Sequence, residues 1–334
     1  MAGGARRRPP WPAYRSEAMA SEVATQGEGP SGPPGSRGSR GLGDRVASFV
    51  DRHVVGVFVS PGVAFVVVMM AFPVAYTLYL SVHEWVGGID QPPQFVGLDN
   101  FQRLLEDQRF LLALGRTFLF TGVAITFQTV LGVAIAVFLH REFRARGMIR
   151  SIMLMPMIAT PVAIALIFRL MFQPQLGILN DILTSIGMPP LAWTSSASTA
   201  LWSLAAVDVW EWTPLIALIT LAGLSALPEE PLEAASVDGA NGWQRFWFVI
   251  LPMVRPVVII AVVFRLIEAL KTFDIILVIT QGGPGFATET LNIYVYNTTF
   301  QYMRFGYSAA MLIVYFLVVL GCAVLLLRFR RAKD

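Results

Sequence analysis

The chain has 334 residues, 55% of them hydrophobic and 14% charged, with a net charge of +3. An average soluble domain carries about 25% charged residues, and a soluble globe of this length needs a charged skin that this composition cannot supply. A soluble enzyme, a disordered chain and a disulfide scaffold are therefore poor fits, and a polytopic membrane protein is expected. One cysteine, Cys322, forms no internal disulfide, and three histidines (His53, His83, His140) leave little room for a histidine-based metal site.

In chain order, residues 1–45 come first, and they are one-third Gly and Pro. Seven arginines there face Glu17, Glu22, Glu28 and Asp44, so the tail carries the whole net charge. Such a segment buries too little apolar surface to offset its ordering entropy and reads as a disordered basic tail. No apolar run follows Arg6, Arg7 and Arg8, as it would in a cleavable signal peptide. Met19 is a second candidate start of translation. Residues 44–53 read as a short interfacial turn, and residues 46–334 as one membrane domain.

Six segments are long and apolar enough to cross a hydrocarbon core, which takes about 20 residues. They are Val54–Val82, Thr117–Leu139, Ser151–Phe172, Ala200–Leu224, Pro252–Thr280 and Ser308–Leu327. Helices are expected throughout, because an open sheet leaves unpaired backbone in lipid and a barrel needs short alternating strands. Lys and Arg in the short loops set the orientation. The tail, loop 140–150 (Arg141, Arg144, Arg146, Arg150) and the C-terminus (Arg328, Arg330, Arg331, Lys333) are basic. Loops 83–116, 173–199 and 281–307 are poor in basic residues. Both termini are then expected in the cytoplasm, as is loop 225–251, which is acidic instead of basic.

That loop reads PEEPLEAASVDGANGWQRFWFVILPMVRP from Pro228 to Pro256. Leu232–Val237 favours helix, with acidic residues near its start to complement the dipole. Asp238-Gly239 and Asn241-Gly242 are turn dipeptides. Phe246–Leu251 begins a second, aromatic helix, and Pro252 and Pro256 open the fifth span. A plain connector is usually only about 2–8 residues long. This one presents Ala234, Ala235, Gly239 and Ala240 beside carboxylates, which suits close approach by another protein.

The pattern Glu233-Ala234-Ala235, Asp238-Gly239-Ala240, Ile250-Leu251-Pro252 resembles the EAA loop of ABC importer permeases. The stretch Phe273-Asp274 … Thr280-Gln281-Gly282-Gly283-Pro284-Gly285 … Thr288 … Tyr296 … Phe300 … Phe305-Gly306-Tyr307 is similar to the carbohydrate-uptake branch, the first permease of maltose, glycerol-phosphate or trehalose type systems. Phe95-Val96-Gly97-Leu98-Asp99-Asn100-Phe101 resembles that branch's first outer loop. The resemblance covers about residues 54–330. It implies an all-α permease fold of the type I importer, with six spans, in the cytoplasmic membrane. It implies that Glu233, Ala234, Ala235, Asp238, Gly239 and Ala240 form a coupling helix and turn seated on an ATPase subunit, with Leu251 and Pro252 anchoring it to the fifth span. It also implies a second homologous permease, two ATPase subunits that use ATP and Mg, and a separate sugar-binding protein. The chain has no GxxxxGK[ST] loop of its own, so no cofactor and no catalytic residue are expected in it.

Charges inside spans cost about 2.5–3.5 kcal/mol each on insertion scales and therefore face protein or water. Asp208, Trp210, Glu211 and Trp212 in the fourth span match in depth Arg265, Glu268, Lys271 and Asp274 in the fifth. Two readings stay open. One is a set of structural ion pairs, Arg265–Glu268 and Lys271–Asp274. The other is a water-filled sugar pathway, in which flat rings stack on C–H faces and carboxylates accept hydroxyl hydrogen bonds. Arg169 is expected to snorkel, Cys322 to pack without chemistry, and Gly282–Gly285 to form a tight turn or a docking surface for the binding protein. An intramembrane enzyme would need acidic metal ligands or H-E-x-x-H, and neither is present. A self-contained secondary transporter would show inverted repeats and more spans.

Overall fold

The computed structural model describes residues 54–87 and 91–331. The expected tail, 1–45, lies outside the described residues. The chain divides into two compact units, residues 1–67 and 68–334. The described part of the first is the opening of helix α1, Val54–Ser81, whose remainder belongs to the second.

The second unit is helical. A two-residue hairpin, β1 His83–Glu84 with β2 Gln94–Phe95, follows α1. After it come α2 Asp99–Glu106, α3 Gln108–His140, α4 Arg146–Ile158, α5 Pro161–Met171 and α6 Ile178–Ser185. The central helix is α7, Ala200–Ser225, and α8 is Glu230–Val237. A short helix α9, Gly242–Arg245, runs through a π-turn, Phe246–Ile250, into α10, Leu251–Leu270. Then come α11 Asp274–Ile279, α12 Leu291–Tyr296 with its π-turn Asn297–Gln301, and α13 Phe305–Arg331.

Among the described residues, five helices are long and apolar enough to cross a membrane, and the α4–α5 pair makes a sixth if it is one span. Three of the six expected spans differ in detail. The second begins earlier, at Gln108, because Asp107 caps it by accepting from the Arg109 and Phe110 backbone N–H groups. The third is broken, with α4 and α5 bent by 94°. Pro161 is the cause: it forces Thr160 into extended backbone and then opens α5 as its first residue. The fifth is shifted toward the N-terminus. It runs unbroken from Gly242 to Leu270 and stops at Lys271, and Asp274 restarts the chain as the acidic first residue of α11.

The core of this unit is helix against helix. Phe120, Ile164, Leu204, Val207 and Ile276 form one buried cluster, and Val133, Leu139, Leu221, Leu224 and Val254 form another. Helices α3 and α7 approach closely because Gly132 has no side chain. A Cβ there would lie 3.1 Å from the Ala217 backbone nitrogen, tighter than ordinary packing allows.

Candidate functional site

Two places in the second unit carry the functional candidates. The first is the connector between α7 and α10. Helix α8 opens on Glu230 and Glu233 and buries none of its residues. It ends in a complete Schellman motif: Ala240 N–H donates to Ala235 O at 3.0 Å and Gly239 N–H to Ser236 O at 3.2 Å. Gly239 holds φ +76°, a left-handed conformation that a side chain strains. Asn241 then starts α9 with a capping box, exchanging hydrogen bonds of 2.9 Å with Gln244. Arg245 reaches back to the Ser236 hydroxyl at 2.8 Å and ties the two arms together. The turn frames a hollow of about 380 Å³ lined by Asp238, Gly239, Ala240, Gln244, Phe248 and Val249. The expected helix–turn–helix is thus present. Glu233, Ala234, Asp238 and Gly239 are exposed, Ala235 and Ala240 half-buried. Leu251 packs on the Val133–Leu221–Val254 cluster, and Pro252 sits in the first turn of α10.

The second place is mid-span. Asp208 and Arg265, each 1% exposed, form an ion pair of 2.5 Å across α7 and α10. Gln128 on α3 completes the group. Its side-chain nitrogen donates to the Asp208 carboxylate at 2.8 Å and to the Asp208 carbonyl at 2.9 Å, and its oxygen accepts from Arg265 at 3.1 Å. The Trp212 ring lies 5.0 Å from the guanidinium carbon. One charge pair and one amide therefore join three helices with most of their hydrogen-bonding capacity satisfied.

The two ion pairs expected from spacing are not the ones formed. Arg265 takes Asp208 instead of Glu268, because its side chain turns inward toward α7. Lys271 takes Glu268 at 2.8 Å instead of Asp274, because α10 has ended and Asp274 belongs to the next helix. Six of the seven pathway candidates, Asp208, Glu211, Trp212, Glu268, Lys271 and Asp274, line one cavity of about 150 Å³ together with Arg265. Trp210 is not among them. It stacks edge-on against Phe168, 5.3 Å between ring centres, and faces a separate cavity of about 880 Å³ lined by residues such as Phe127, Met155, Trp202 and Pro214. That larger cavity has an almost wholly apolar wall, and its Thr213 hydroxyl is used by the Val209 carbonyl. It offers a polar cargo little to hydrogen-bond.

The loop between α11 and α13 is held by groups that spacing did not reveal. Arg109 makes a two-pronged pair with the buried Glu289, at 2.7 and 2.8 Å, and lies 4.0 Å over the Phe286 ring. Asp107 accepts from the Tyr294 and Tyr307 hydroxyls, each at 2.6 Å. Burial raises the Asp107 carboxyl, but these two hydrogen bonds and those from the Phe110 and Arg109 amides outweigh it and hold its pKa below the usual carboxylate value. Gly282–Gly285 forms a tight turn closed by Thr288, whose hydroxyl reaches the Gly283 carbonyl at 2.6 Å and the Thr280 hydroxyl at 2.7 Å. Asn100, in the Phe95–Phe101 stretch, donates to the Ser81 and His83 carbonyls at 3.0 and 2.9 Å and pins the hairpin. Arg169 donates to the Val278 carbonyl at 3.3 Å, and Cys322 is half-buried.

A helical, multi-pass membrane protein with a charged mid-span cavity and an exposed, stiffly capped connector is the architecture of a transport subunit. Residues 128–332 match the model of the binding-protein-dependent transport system inner membrane components, and the chain belongs to that family of ABC importer permeases. It is 38% identical over 267 residues to a probable ABC transporter permease protein, y4oQ, of Sinorhizobium fredii, covering 79% of this chain and 85% of that one. It is 36% identical over 276 residues to the trehalose/maltose transport system permease protein MalF of Thermococcus litoralis, covering 82% and 93%. Among solved structures, a bacterial ABC transporter involved in the import of the acidic polysaccharide alginate shares the fold, with a TM-score of 0.74 and 20% identity over 86% of this chain and 99% of that one.

Proposed function

We propose that the chain is one permease of an ATP-driven importer of a carbohydrate, and that it forms one wall of the translocation pathway. The observation that carries this reading is the cavity of Asp208, Glu211, Trp212, Glu268, Lys271 and Asp274. It sets an aromatic ring beside hydrogen-bond acceptors, of which Asp208 and Glu211 lie inside a span, where such groups are otherwise costly. A second, homologous permease supplies the facing wall. The names of relatives such as the trehalose/maltose permease support carbohydrate as the cargo class.

In this reading both termini and the α8–α9 connector are cytoplasmic. Two separate ATPase subunits, which bind ATP and Mg, take the connector into a groove. Ala234, Ala235 and Ala240 allow the close approach, Glu233 and Asp238 make polar contacts, and Gly239 shapes the turn. Closure of the ATPases pushes on the connector. Because α9, the π-turn and α10 are continuous, the push is delivered directly to the helix that carries Arg265 and Glu268. Leu251 and Pro252 fix its root. The spans then rock so that the cavity opens outward and receives sugar from an extracellular or lipid-anchored binding protein, and hydrolysis returns it to the cytoplasm. Gly285 and Phe286, exposed at the end of the Gly282–Gly285 turn, offer a surface for that binding protein. No covalent bond is made or broken by this chain.

Uptake of radiolabelled sugar by proteoliposomes holding the assembled transporter tests the reading. Uptake that requires both ATP and the loaded binding protein is expected. Uptake by this chain alone, driven by an ion gradient, would overturn it in favour of a secondary transporter.

A further inference from the structure

The mid-span cavity is electrically unbalanced. Four carboxylates (Asp208, Glu211, Glu268, Asp274) face two cations (Arg265, Lys271). Both cations are already engaged, Arg265 by Asp208 and Gln128 and Lys271 by Glu268. Glu211 and Asp274 take part in no ion pair among the described residues. Glu211 is 1% exposed, and its Oε2 atom has no hydrogen-bond partner, although it lies in the cavity wall. The outer oxygen of Asp208, Oδ1, is also without a partner. A buried acceptor left open is costly, most of all when it is charged. Glu211 and Asp208 thus bring two open acceptor oxygens to this wall, and each cation already has a carboxylate partner.

We propose that this cavity excludes anionic cargo and takes uncharged or amine-bearing sugars, with Glu211 as the acceptor that selects them. The inference rests on the carbohydrate reading above and narrows it. A sugar hydroxyl or ammonium group donates to Glu211 Oε2 and satisfies it. A phosphate, sulfonate or uronate group brings no donor of its own, meets more carboxylates than cations, and finds each cation already paired with a carboxylate. Trp212, held beside Arg265, gives the sugar ring an apolar face on which to lie. Specificity of this kind works by repulsion as much as attraction.

The test is equilibrium binding to the purified transporter without its binding protein, using trehalose and trehalose 6-phosphate, which differ only in the phosphate. Wild type is expected to hold trehalose at least ten-fold more tightly. The double variant Glu211→Gln, Asp274→Asn keeps the side-chain shapes and is expected to bring the two affinities within about three-fold, with monodispersity on gel filtration confirming assembly. Equal affinity for both probes in wild type, or an unchanged ratio in the double variant, overturns the charge-selection proposal while leaving carbohydrate transport standing. If trehalose, maltose, lactose and glycerol all fail to bind a monodisperse transporter, the carbohydrate reading of the cavity fails and the proposal falls with it.

Discussion

Two groups of carboxylates in this chain have opposite settings. Asp208 and Glu211 lie on α7 with 1% of their surface exposed, packed against α3 and α10. Glu230, Glu233 and Asp238 lie on or beside α8, a helix with no buried residue. In the first group Asp208 is tied to its own chain by an arginine and a glutamine, while Glu211 keeps an unpartnered oxygen. In the second, Glu230 and Glu233 favour the helix start, Asp238 stands at the helix C-cap, and all three face outward. Burial separates the two: a carboxylate inside the spans is answered within the chain or faces the cavity, whereas one on the connector is free to be answered by another protein.

Removing the answer at the buried place is expected to have the largest effect. Arg265→Ala leaves Asp208 uncompensated and the Gln128 oxygen without its donor, and it should cost about 3–5 kcal/mol. Loss of monodisperse protein on mild heating measures it. Asp208→Leu together with Arg265→Met removes both charges and should recover most of the loss; failure to recover would mean that the pair does more than balance charge.

The exposed place should respond in the other way. Gly239→Phe strains a turn at φ +76° by about 1–2 kcal/mol, which a surface connector tolerates, and it fills the hollow beside Ala240 and Phe248. Sugar uptake should be abolished while the chain remains in the membrane. Uptake at the wild-type rate would break the contrast, because the connector would then be only a connector.

A finer test lies within α7. Trp212→Ala is expected to weaken sugar binding by about 1–2 kcal/mol, five- to thirty-fold, through loss of the stacking face. Trp210→Ala is expected to leave sugar affinity within two-fold, because that ring points into the apolar cavity. Equal effects would merge the two cavities into one pathway.

The smallest effect concerns pH at Asp107. Its carboxyl is held below the ordinary value of about 3.9, so its contribution is full above that pH and is lost as pH falls through the lower folded value. The stability gap between wild type and Asp107→Asn should stay flat from about pH 8 to pH 5 and narrow only below about pH 4. A gap that changes near neutrality would mean that another group is titrating.

Much of this architecture is legible in the residues, for stated reasons. Long apolar runs fix the existence of helices, and Asp238-Gly239 and Asn241-Gly242 mark the connector's turns. Pro161 carried the signal for the break between α4 and α5, since a residue before proline leaves the helical region. Gln128 was hidden in an uncharged apolar run, yet a lone amide in a span is itself a request for a partner. Trp210 and Trp212 are two residues apart, which on a helix turns them by about 200° and sends them into different cavities. The pairing of Arg109 with Glu289 joins residues 180 positions apart, and no local spacing announces such a contact.

The proposed transport mechanism turns on the α8–α9 connector as the surface on which an ATPase subunit acts. Val237, 87% exposed at the end of α8, reports on it directly. With Cys322, the chain's one cysteine, replaced by Ser, a Val237→Cys chain can be labelled with a membrane-impermeant maleimide in inside-out vesicles, with and without the ATPase subunits. Rapid labelling of the permeases alone and strong protection in the assembled transporter is the predicted result. Equally rapid labelling in both would contradict the claim.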